Sequence, residues 1–113
     1  MKKKYIVKSN LEFNNILTTG DKYKSEFFYI YKKKNAFLYN RYGIAVSKRI
    51  GNAVKRNKLK RQIKDVIDNI SIKNIESDFI LVAKGNVKTA KYRDLKEDII
   101  AIYMKIGAEH EKK

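Results

Sequence analysis

The sequence predicts an α+β fold in which helices pack on a small sheet. Two long amphipathic helical patterns and one short capped helix alternate with runs rich in aromatic or β-branched residues. The order along the 113 residues is helix, strands, helix, strand, helix, which favours a layered sandwich. No repeat or linker interrupts this order. We therefore expect one domain over residues 1–113, with a basic lead-in at residues 1–8 and a frayed tail at residues 107–113.

The first helix is predicted over residues 9–20. Ser9 and Glu12 have the spacing of a capping box, and Gly20 stands where a helix commonly ends in glycine. By pattern alone, an apolar stripe on this helix indicates a face toward the core. The stripe consists of Phe13, Ile16 and Leu17.

The next two strands are predicted from short runs with alternating faces. Residues 27–31 are rich in aromatic side chains, residues 32–35 form a basic turn, and residues 37–39 are expected to extend the pairing. The second strand covers residues 42–48. One of its faces carries only small side chains: Gly43, Ala45 and Ser47. Such a face admits either a packed helix or a ligand strand, and both interpretations stay open.

A long basic helix is predicted over residues 52–69, with Asn52 as its N-cap. Its apolar stripe consists of Leu59, Ile63, Val66, Ile67 and Ile70. Toward the start of the helix the stripe becomes polar at Arg56, which indicates that the first turn faces something other than core. Asp65 and Asp68 are expected to pair with basic residues one turn earlier.

The C-terminal half supplies a buried strand and a last helix. Residues 78–83 form a nearly continuous apolar run, which is typical of a strand buried on both faces. Thr89 is a candidate cap for the last helix. The apolar residues of that helix recur at helical spacing: Tyr92, Leu95, Ile99, Ile102, Tyr103 and Ile106.

The formal net charge is +15, and the excess is confined to the first half of the chain. Residues 1–64 hold 18 basic and three acidic side chains, whereas residues 65–113 hold nine of each. Codon bias in an AT-rich genome explains many lysines but not this division. We therefore expect a polyanion-binding face, with nucleic acid favoured over an anionic membrane surface. Four aromatic residues upstream of the basic helix suit stacking on single-stranded bases: Phe13, Phe27, Tyr29 and Tyr31.

The sequence offers little for catalysis by the protein alone. There is no cysteine, and the single histidine, His110, lies in the expected tail. Asp65 and Asp68 are a weak metal signal, and no glycine-rich phosphate loop is present. We therefore expect neither a catalytic nor a metal-ligating residue in this chain. No apolar run approaches the length of a membrane span and no signal-peptide pattern follows the basic start, so we expect a cytoplasmic protein.

Residues 51–61, GNAVKRNKLKR, resemble the signature of the protein subunit of bacterial ribonuclease P. Residues 41–50, RYGIAVSKRI, and the element order over residues 5–106 fit the same family. The resemblance implies an α-β-β-β-α-β-α fold with a left-handed βαβ crossover through the long helix, similar to the second domain of a small-subunit ribosomal protein. Pattern alone does not predict that hand, because such crossovers are almost always right-handed.

The resemblance also implies that the chemistry belongs to a partner RNA. That RNA, together with Mg²⁺, hydrolyses the phosphodiester bond between the 5′ leader and mature tRNA. The expected partners are the catalytic RNA subunit and precursor tRNA, with neither DNA nor a membrane. The chain is then a non-catalytic subunit of an endoribonuclease, and Mg²⁺ is expected through the RNA and not on the protein alone.

Carried onto this sequence, the resemblance assigns two surfaces. The long helix contacts the catalytic RNA through Lys55, Arg56, Asn57, Lys58, Lys60, Arg61 and Lys64. A leader-binding cleft between the first helix and the sheet is formed by Phe13, Leu17, Tyr31, Ala45, Ser47 and Arg49, with Arg56 and Asn57 at its end. In this interpretation Phe13 is a cleft wall and not a core residue. Lys58 and Leu17 stand where the family commonly has arginine and an aromatic residue.

Two other functions stay open. A general single-strand RNA-binding or ribosomal protein would share the basic half and the aromatic residues but would show no preference for a 5′ leader. A nuclease that works without an RNA subunit would need acid–base or metal-binding groups, which the sequence does not gather.

Overall fold

The computed structural model describes residues 1–111, which form three α-helices and four strands in the order α-β-β-β-α-β-α. The helices are α1 (Asn10–Thr19), α2 (Ala53–Asn69) and α3 (Tyr92–Glu111). The strands are β1 (Asp21–Lys24), β2 (Phe28–Lys34), β3 (Arg41–Ala45) and β4 (Ser77–Ala83). Short 3₁₀ turns cover Lys3–Tyr5, Lys48–Ile50 and Gly85–Thr89. The predicted α+β class is confirmed.

β4 lies inside a sheet with the strand order β1-β2-β4-β3. It pairs antiparallel with β2 and parallel with β3, so Ile80 lies opposite Tyr31 on one side and Gly43 on the other. Six of its seven residues are buried, which confirms the buried strand predicted from the apolar run. α2 connects β3 to its parallel neighbour β4. The left hand predicted for this crossover, and the likeness to a ribosomal protein domain, stay predictions.

The two faces of the sheet are covered unequally. On one face α2 and α3 cover the larger core, in which Phe28 and Phe79 meet the apolar stripes of both helices. On the other face α1 covers a small core: Val7, Ile16 and Ile80. Because α1 has only ten residues, Tyr31 and Val82 on this second face are half-buried. The open part of the second face is where the candidate site lies.

Gly43 lets α1 approach the sheet closely. A Cβ atom at this position would lie 2.7 Å from both Phe13 Cε2 and Ile80 Cδ1, which is closer than carbon atoms can pack. At Gly43 the face of small side chains on β3 therefore packs against α1.

Both ends of α1 differ from their predicted form. Ser9 Oγ accepts the backbone N–H of Glu12 at 3.4 Å, which is one half of a capping box. The Glu12 carboxylate does not complete the box, because it accepts a hydrogen bond from Arg41 Nη2 at 2.6 Å. Gly20 follows the helix in an extended conformation, with φ −77° and ψ 162°. Glycine is required there by space, since a Cβ would lie 2.8 Å from the carbonyl oxygen of Lys32.

The strands differ from prediction on the β1 and β2 side of the sheet. The pattern does not predict β1, because its sequence DKYK contains one apolar residue. The prediction of a basic turn at residues 32–35 is wrong, because β2 continues to Lys34. Lys32 pairs with Phe79 and is only 8% exposed. Residues 37–39 lie in the loop after β2 and do not extend the pairing. Pairing with β4 thus overrides the low strand preference of lysine.

α3 begins and ends later than predicted. Thr89 lies in a 3₁₀ turn and does not cap the helix; instead the Asp94 carboxylate accepts the N–H of Lys91 at 3.0 Å. The helix continues to Glu111, so the tail expected to fray from residue 107 is helical up to that residue. Residues 112–113 of that tail lie outside the described residues.

The two acidic residues of α2 bind other elements. Tyr92 Oη donates to Asp65 at 2.6 Å, and the amine of Met1 donates to Asp68 at 2.8 Å. Their predicted pairing along the helix is therefore wrong. None of the ion pairs among residues 1–111 includes the basic residues one turn earlier, Arg61 and Lys64.

Gly43→Ala tests the close approach of α1. The added methyl group overlaps Phe13 and Ile80, so we expect the free energy of unfolding to fall by about 1–3 kcal/mol in urea denaturation. The matched control is Gly85→Ala, because an added Cβ there meets nothing within 4 Å. Its effect should stay below about 1 kcal/mol. Equal losses in the two variants would contradict the packing argument.

Tyr103→Phe tests a buried hydroxyl group. Tyr103 Oη is buried and has no hydrogen-bond partner among the described residues, and burial raises the pKa of Tyr103 well above its ordinary value of 10.0. Because the unfolded chain loses this proton first, the native protein should lose stability as the pH rises above about 10. We expect Tyr103→Phe to reduce that alkaline loss. At neutral pH the variant should be as stable as the parent, or more stable by up to about 1 kcal/mol. Urea denaturation across this pH range measures both effects, and an unchanged alkaline loss would contradict the assignment.

Candidate nucleic-acid interface

The first turn of α2 places a basic side chain on the apolar stripe. Asn52 Oδ1 accepts the backbone N–H of Lys55 at 3.0 Å, which confirms the predicted N-cap. Further along, the helix buries most of the predicted stripe: Leu59, Ile63, Val66 and Ile67. Ile70, just after the helix, is half-buried. At helical spacing Arg56 falls on the same stripe, so it begins on the side where later residues enter the core.

Arg56 is half-buried, and its Nε atom is fully buried without a hydrogen-bond partner among the described residues. A buried N–H that lacks an acceptor costs about 1–3 kcal/mol. The side chain as a whole is partly accessible, so its charge can meet an anionic ligand such as a phosphate group. A cation kept on the apolar stripe at this cost indicates an anion-binding site on α2.

One flank of α2 borders a basic groove. Lys55 and Lys58 face the 3₁₀ turn Gly85–Thr89 across a groove of about 520 Å³, which Arg49 and Lys88 also line. Lys88 is absent from the predicted site because its place beside α2 depends on the path of the chain after β4. Four cations around one groove create a concentrated positive potential.

The opposite flank of α2 faces α1 and β3. Lys60 and Lys64 are half-buried there and line a cavity of about 160 Å³ together with Phe13. Asn57 and Arg61 are exposed on the outer face of the helix between the two flanks. The seven residues predicted to contact RNA therefore surround three sides of α2 and do not form a single patch.

The predicted leader cleft corresponds to the part of the second sheet face that α1 leaves open. Phe13, Leu17 and Tyr31 pack beside the small core and are each half-buried. Phe13 combines the two roles considered for it, because its ring meets Gly43 and part of the side chain stays accessible. Ala45 continues the same face of β3 and is also half-buried.

Ser47 and Arg49 lie beyond the end of β3. Both are exposed, Ser47 just before and Arg49 within the 3₁₀ turn that leads into α2. Arg49 lines the groove that also contains Lys55 and Lys58, so the structure groups it with one flank of the helix. The contribution of Ser47, Arg49 and Asn57 to a leader cleft stays a prediction.

Two lysines beside the cleft are missing from the predicted site. Lys22 Nζ lies 4.4 Å from the ring centroid of Tyr29 and 5.7 Å from that of Tyr31, and Lys84 Nζ lies 4.8 Å from the Tyr29 centroid. Each such contact is worth about 0.5–1 kcal/mol at an exposed site. The alternation in residues 27–31 indicates that the two tyrosines share a face. The place of Lys22 depends on β1, which the pattern does not reveal.

Signals for metal binding and membrane insertion are weak in the described chain. Within residues 1–111, no group of three or more acidic or histidine side chains is arranged to hold a metal ion. His110 lies in the last turn of α3. No helix in this part of the chain combines the length and apolar character needed to cross a membrane.

Comparison with known proteins gives consistent matches along nearly the whole chain. The Ribonuclease P family model matches residues 1–107. The ribonuclease P protein component of Mycoplasma mycoides is 41% identical over 108 residues, which cover 94% of this chain and 99% of that protein. The component from Streptococcus pneumoniae is 33% identical over 103 residues, which cover 90% of this chain and 84% of that protein.

Solved structures show the same fold. A Staphylococcus aureus RNase P protein mutant with defective mRNA degradation activity has a TM-score of 0.83 and 30% identity, with 94% of this chain and 90% of that chain covered. The RNase P protein from Thermotoga maritima has a TM-score of 0.79 at 22% identity, with 86% and 93% covered, and supports the fold alone.

Arg56→Met tests whether the half-buried Arg56 side chain serves a ligand. Methionine fills similar space and removes the unpaired N–H, so the free energy of unfolding should stay unchanged or rise by up to about 1 kcal/mol. Binding of single-stranded RNA, measured by fluorescence anisotropy, should weaken by about tenfold. Arg61→Met removes the same charge from an exposed site and should give no gain in stability. A loss of more than about 2 kcal/mol in Arg56→Met would show that Arg56 has a structural role instead.

Proposed function

Because the chain belongs to the ribonuclease P protein family, we propose that it binds the catalytic RNA and the 5′ leader of precursor tRNA, and so assists removal of the leader. Ribonuclease P is an endoribonuclease holoenzyme in which the partner of the protein component is an RNA subunit. The observation that carries the proposal is the junction of two surfaces. Phe13, at the edge of the accessible aromatic face, lines one cavity with Lys60 and Lys64 of α2.

The surfaces on α2 suit a folded RNA. Cations on both flanks and on the outer face can each approach a phosphate, which gives affinity without sequence readout. Arg56 is half-buried at the start of this helix, and the accessible part of its side chain adds a further cation. We propose that this helix docks on the catalytic RNA and that its charge lowers the repulsion between that RNA and the substrate.

The cleft suits a short single strand. Phe13 and Tyr31 offer partly accessible rings, and a base stacked on such a ring gains about 1–3 kcal/mol. Mature tRNA lacks the leader and cannot make these contacts. The cleft therefore holds precursor more tightly than product, and the protein acts by positioning.

In this proposal the hydrolysis takes place on the RNA subunit, and the Mg²⁺ that supports it is held by RNA phosphates. No side chain of this chain is given a role in bond breaking. The expected location is the cytoplasm, where precursor tRNA is made.

The decisive experiment adds the protein to a catalytic RNA subunit of this family and measures precursor-tRNA cleavage at low Mg²⁺. We expect cleavage to become faster than with the RNA alone. Arg56→Ala should shift the Mg²⁺ requirement upward because it weakens assembly. The exposed α3 substitution Lys105→Ala is the control for loss of one charge. If the protein does not stimulate the RNA, it is a general single-strand RNA-binding or ribosomal protein; cleavage without added RNA would indicate a self-sufficient nuclease.

Tyr31→Ala tests the leader cleft. Removal of the ring should weaken binding of precursor tRNA to the holoenzyme by about 5- to 100-fold and leave binding of mature tRNA unchanged. Equilibrium binding is measured in Ca²⁺, which slows cleavage, and gives the dissociation constants of precursor and mature tRNA. Tyr92→Ala, at the start of α3 on the other side of the sheet, is the aromatic control and should alter neither constant. Equal losses for precursor and mature tRNA would contradict a leader cleft.

A further inference from the structure

A second basic and aromatic surface lies at the start of β3, at the opposite end of that strand from Ala45. It is formed by the N-terminal segment and the loop between β2 and β3. We call it the lead-in surface and define it by Lys2, Lys3, Lys4, Tyr5, Phe37, Leu38 and Tyr39. None of these residues belongs to the α2 surface or to the leader cleft.

The N-terminal segment is attached to the fold on both sides of its lysines. The amine of Met1 donates to Asp68 at 2.8 Å, and the backbone N–H of Val7 donates to the carbonyl oxygen of Tyr42 at 2.9 Å. Between these points residues 3–5 form a 3₁₀ turn. Three consecutive lysines are therefore held on an ordered support.

The aromatic part of the surface is organised around the same lysines. Tyr5 and Tyr39 pack edge to face with their centroids 5.2 Å apart, and Lys4 Nζ lies 5.0 and 5.1 Å from the two rings. Phe37 stacks on the Arg41 guanidinium at 4.3 Å and is still 41% exposed. Leu38 is 80% exposed beside it. An accessible ring next to cations is the combination that binds unpaired nucleotides.

The positive charge of this surface is not balanced by nearby acids. Lys2, Lys3 and Lys4 are exposed, and none of the ion pairs among residues 1–111 includes them. Three acidic groups of the neighbouring elements already have partners. Asp68 binds the amine of Met1, and Glu12 and Asp78 both bind Arg41. The cations therefore remain available to an external polyanion.

The N-terminal segment that carries the lead-in lysines lies beside one flank of α2. Lys60 and Lys64 line the 160 Å³ cavity together with Met1 and Ile6, the residues on either side of the lead-in lysines and Tyr5. A ligand that covers this flank of α2 is therefore next to the lead-in surface.

We propose that the lead-in surface binds the RNA subunit and extends the contact made by α2. Lys2, Lys3 and Lys4 meet phosphates, and an unpaired base stacks on the accessible part of Phe37. This inference rests on the proposed function, and it concerns the RNA subunit and not the leader. RNA is favoured over an anionic membrane because cations and an accessible ring occur together beside the α2 surface.

The test compares two triple variants that lose the same charge. In the lead-in variant, Lys2, Lys3 and Lys4 are changed to glutamine. In the α3 variant, Arg93, Lys96 and Lys105 are changed to glutamine. Affinity for the RNA subunit alone is measured over a range of salt concentrations. The lead-in variant should bind at least about tenfold more weakly, and the plot of log affinity against log salt should become less steep by about two to three units. The α3 variant should stay close to the parent. Equal behaviour of the two variants would overturn the proposal.

Phe37 is tested with two substitutions that keep its contact with Arg41 filled. Phe37→Tyr retains a ring and should bind the RNA subunit like the parent, whereas Phe37→Leu should lose about 5- to 100-fold. Thermal unfolding checks that both variants fold. Parent-like binding by Phe37→Leu would overturn the stacking contact. Lysine-dependent binding to anionic vesicles without a change in RNA affinity would overturn the choice of RNA.

The outcomes separate this inference from the proposed function. If the proposed function fails, the parent protein neither stimulates the RNA subunit nor prefers precursor over mature tRNA. If only the inference fails, the parent does both and the lead-in variant matches it. If both hold, the lead-in variant loses affinity for the RNA subunit but keeps the parent's ratio of precursor to mature tRNA binding.

Discussion

The arrangement of the second sheet face depends on the ion pairs of Arg41. Its Nε and Nη2 atoms donate to the two carboxylate oxygens of Asp78 at 2.8 and 2.7 Å, and Nη2 also donates to Glu12 at 2.6 Å. One buried guanidinium thus connects β3, β4 and α1. The hydrogen bond to Asp78 raises the pKa of Arg41 above its already high ordinary value, so the side chain stays charged in the native protein. Buried charges of this kind are stable only when each partner is present, and loss of one partner typically costs about 3–5 kcal/mol. This connection ties the first turn of α1 to β3 and β4, close to the contact between Phe13 and Gly43.

The fold places the larger core and the proposed binding surface on opposite faces of one sheet. The face under α2 and α3 carries the larger core, which includes Phe28, Phe79 and Ile99. The face under α1 carries only a small core and keeps half-buried aromatic residues at its edge. Substitutions at these partly exposed positions remove less buried area than core substitutions do, so the binding face can vary with a smaller effect on folding. α2 contributes to both, because its apolar stripe enters the core while its flanks and outer face carry the cations of the proposed RNA surface.

The sequence predicts best those features that depend on local periodicity. The residue pattern predicts the N-cap at Asn52, the buried stripe of α2 and the buried strand β4, because each follows from neighbouring residues on one element. Strand pairing is harder to predict from the sequence. Lys32 to Lys34 belong to a strand because β4 supplies partners for them, and no local preference of lysine predicts this.

The candidate site was predictable in its residue types more than in its geometry. Charge and aromatic content indicated an RNA-binding half, and the family resemblance named most of the positions. The grouping of Arg49 with Lys88, and of Lys22 with Tyr29, depends on contacts between elements far apart in the sequence. The buried Nε of Arg56 likewise appears only when the helix is packed against the rest of the fold.

The two lysines packed on Tyr29, beside the proposed cleft, bear on the entropy of binding a ligand there. A free lysine side chain loses up to about 2 kcal/mol of rotamer freedom when it becomes fixed. Lys22 and Lys84 have already given up part of that freedom, because their ammonium groups rest on the ring of Tyr29. If a base of the proposed leader stacks on this ring, fixing these two ammonium groups costs less entropy than fixing free ones. The proposed cleft is in this sense preorganised.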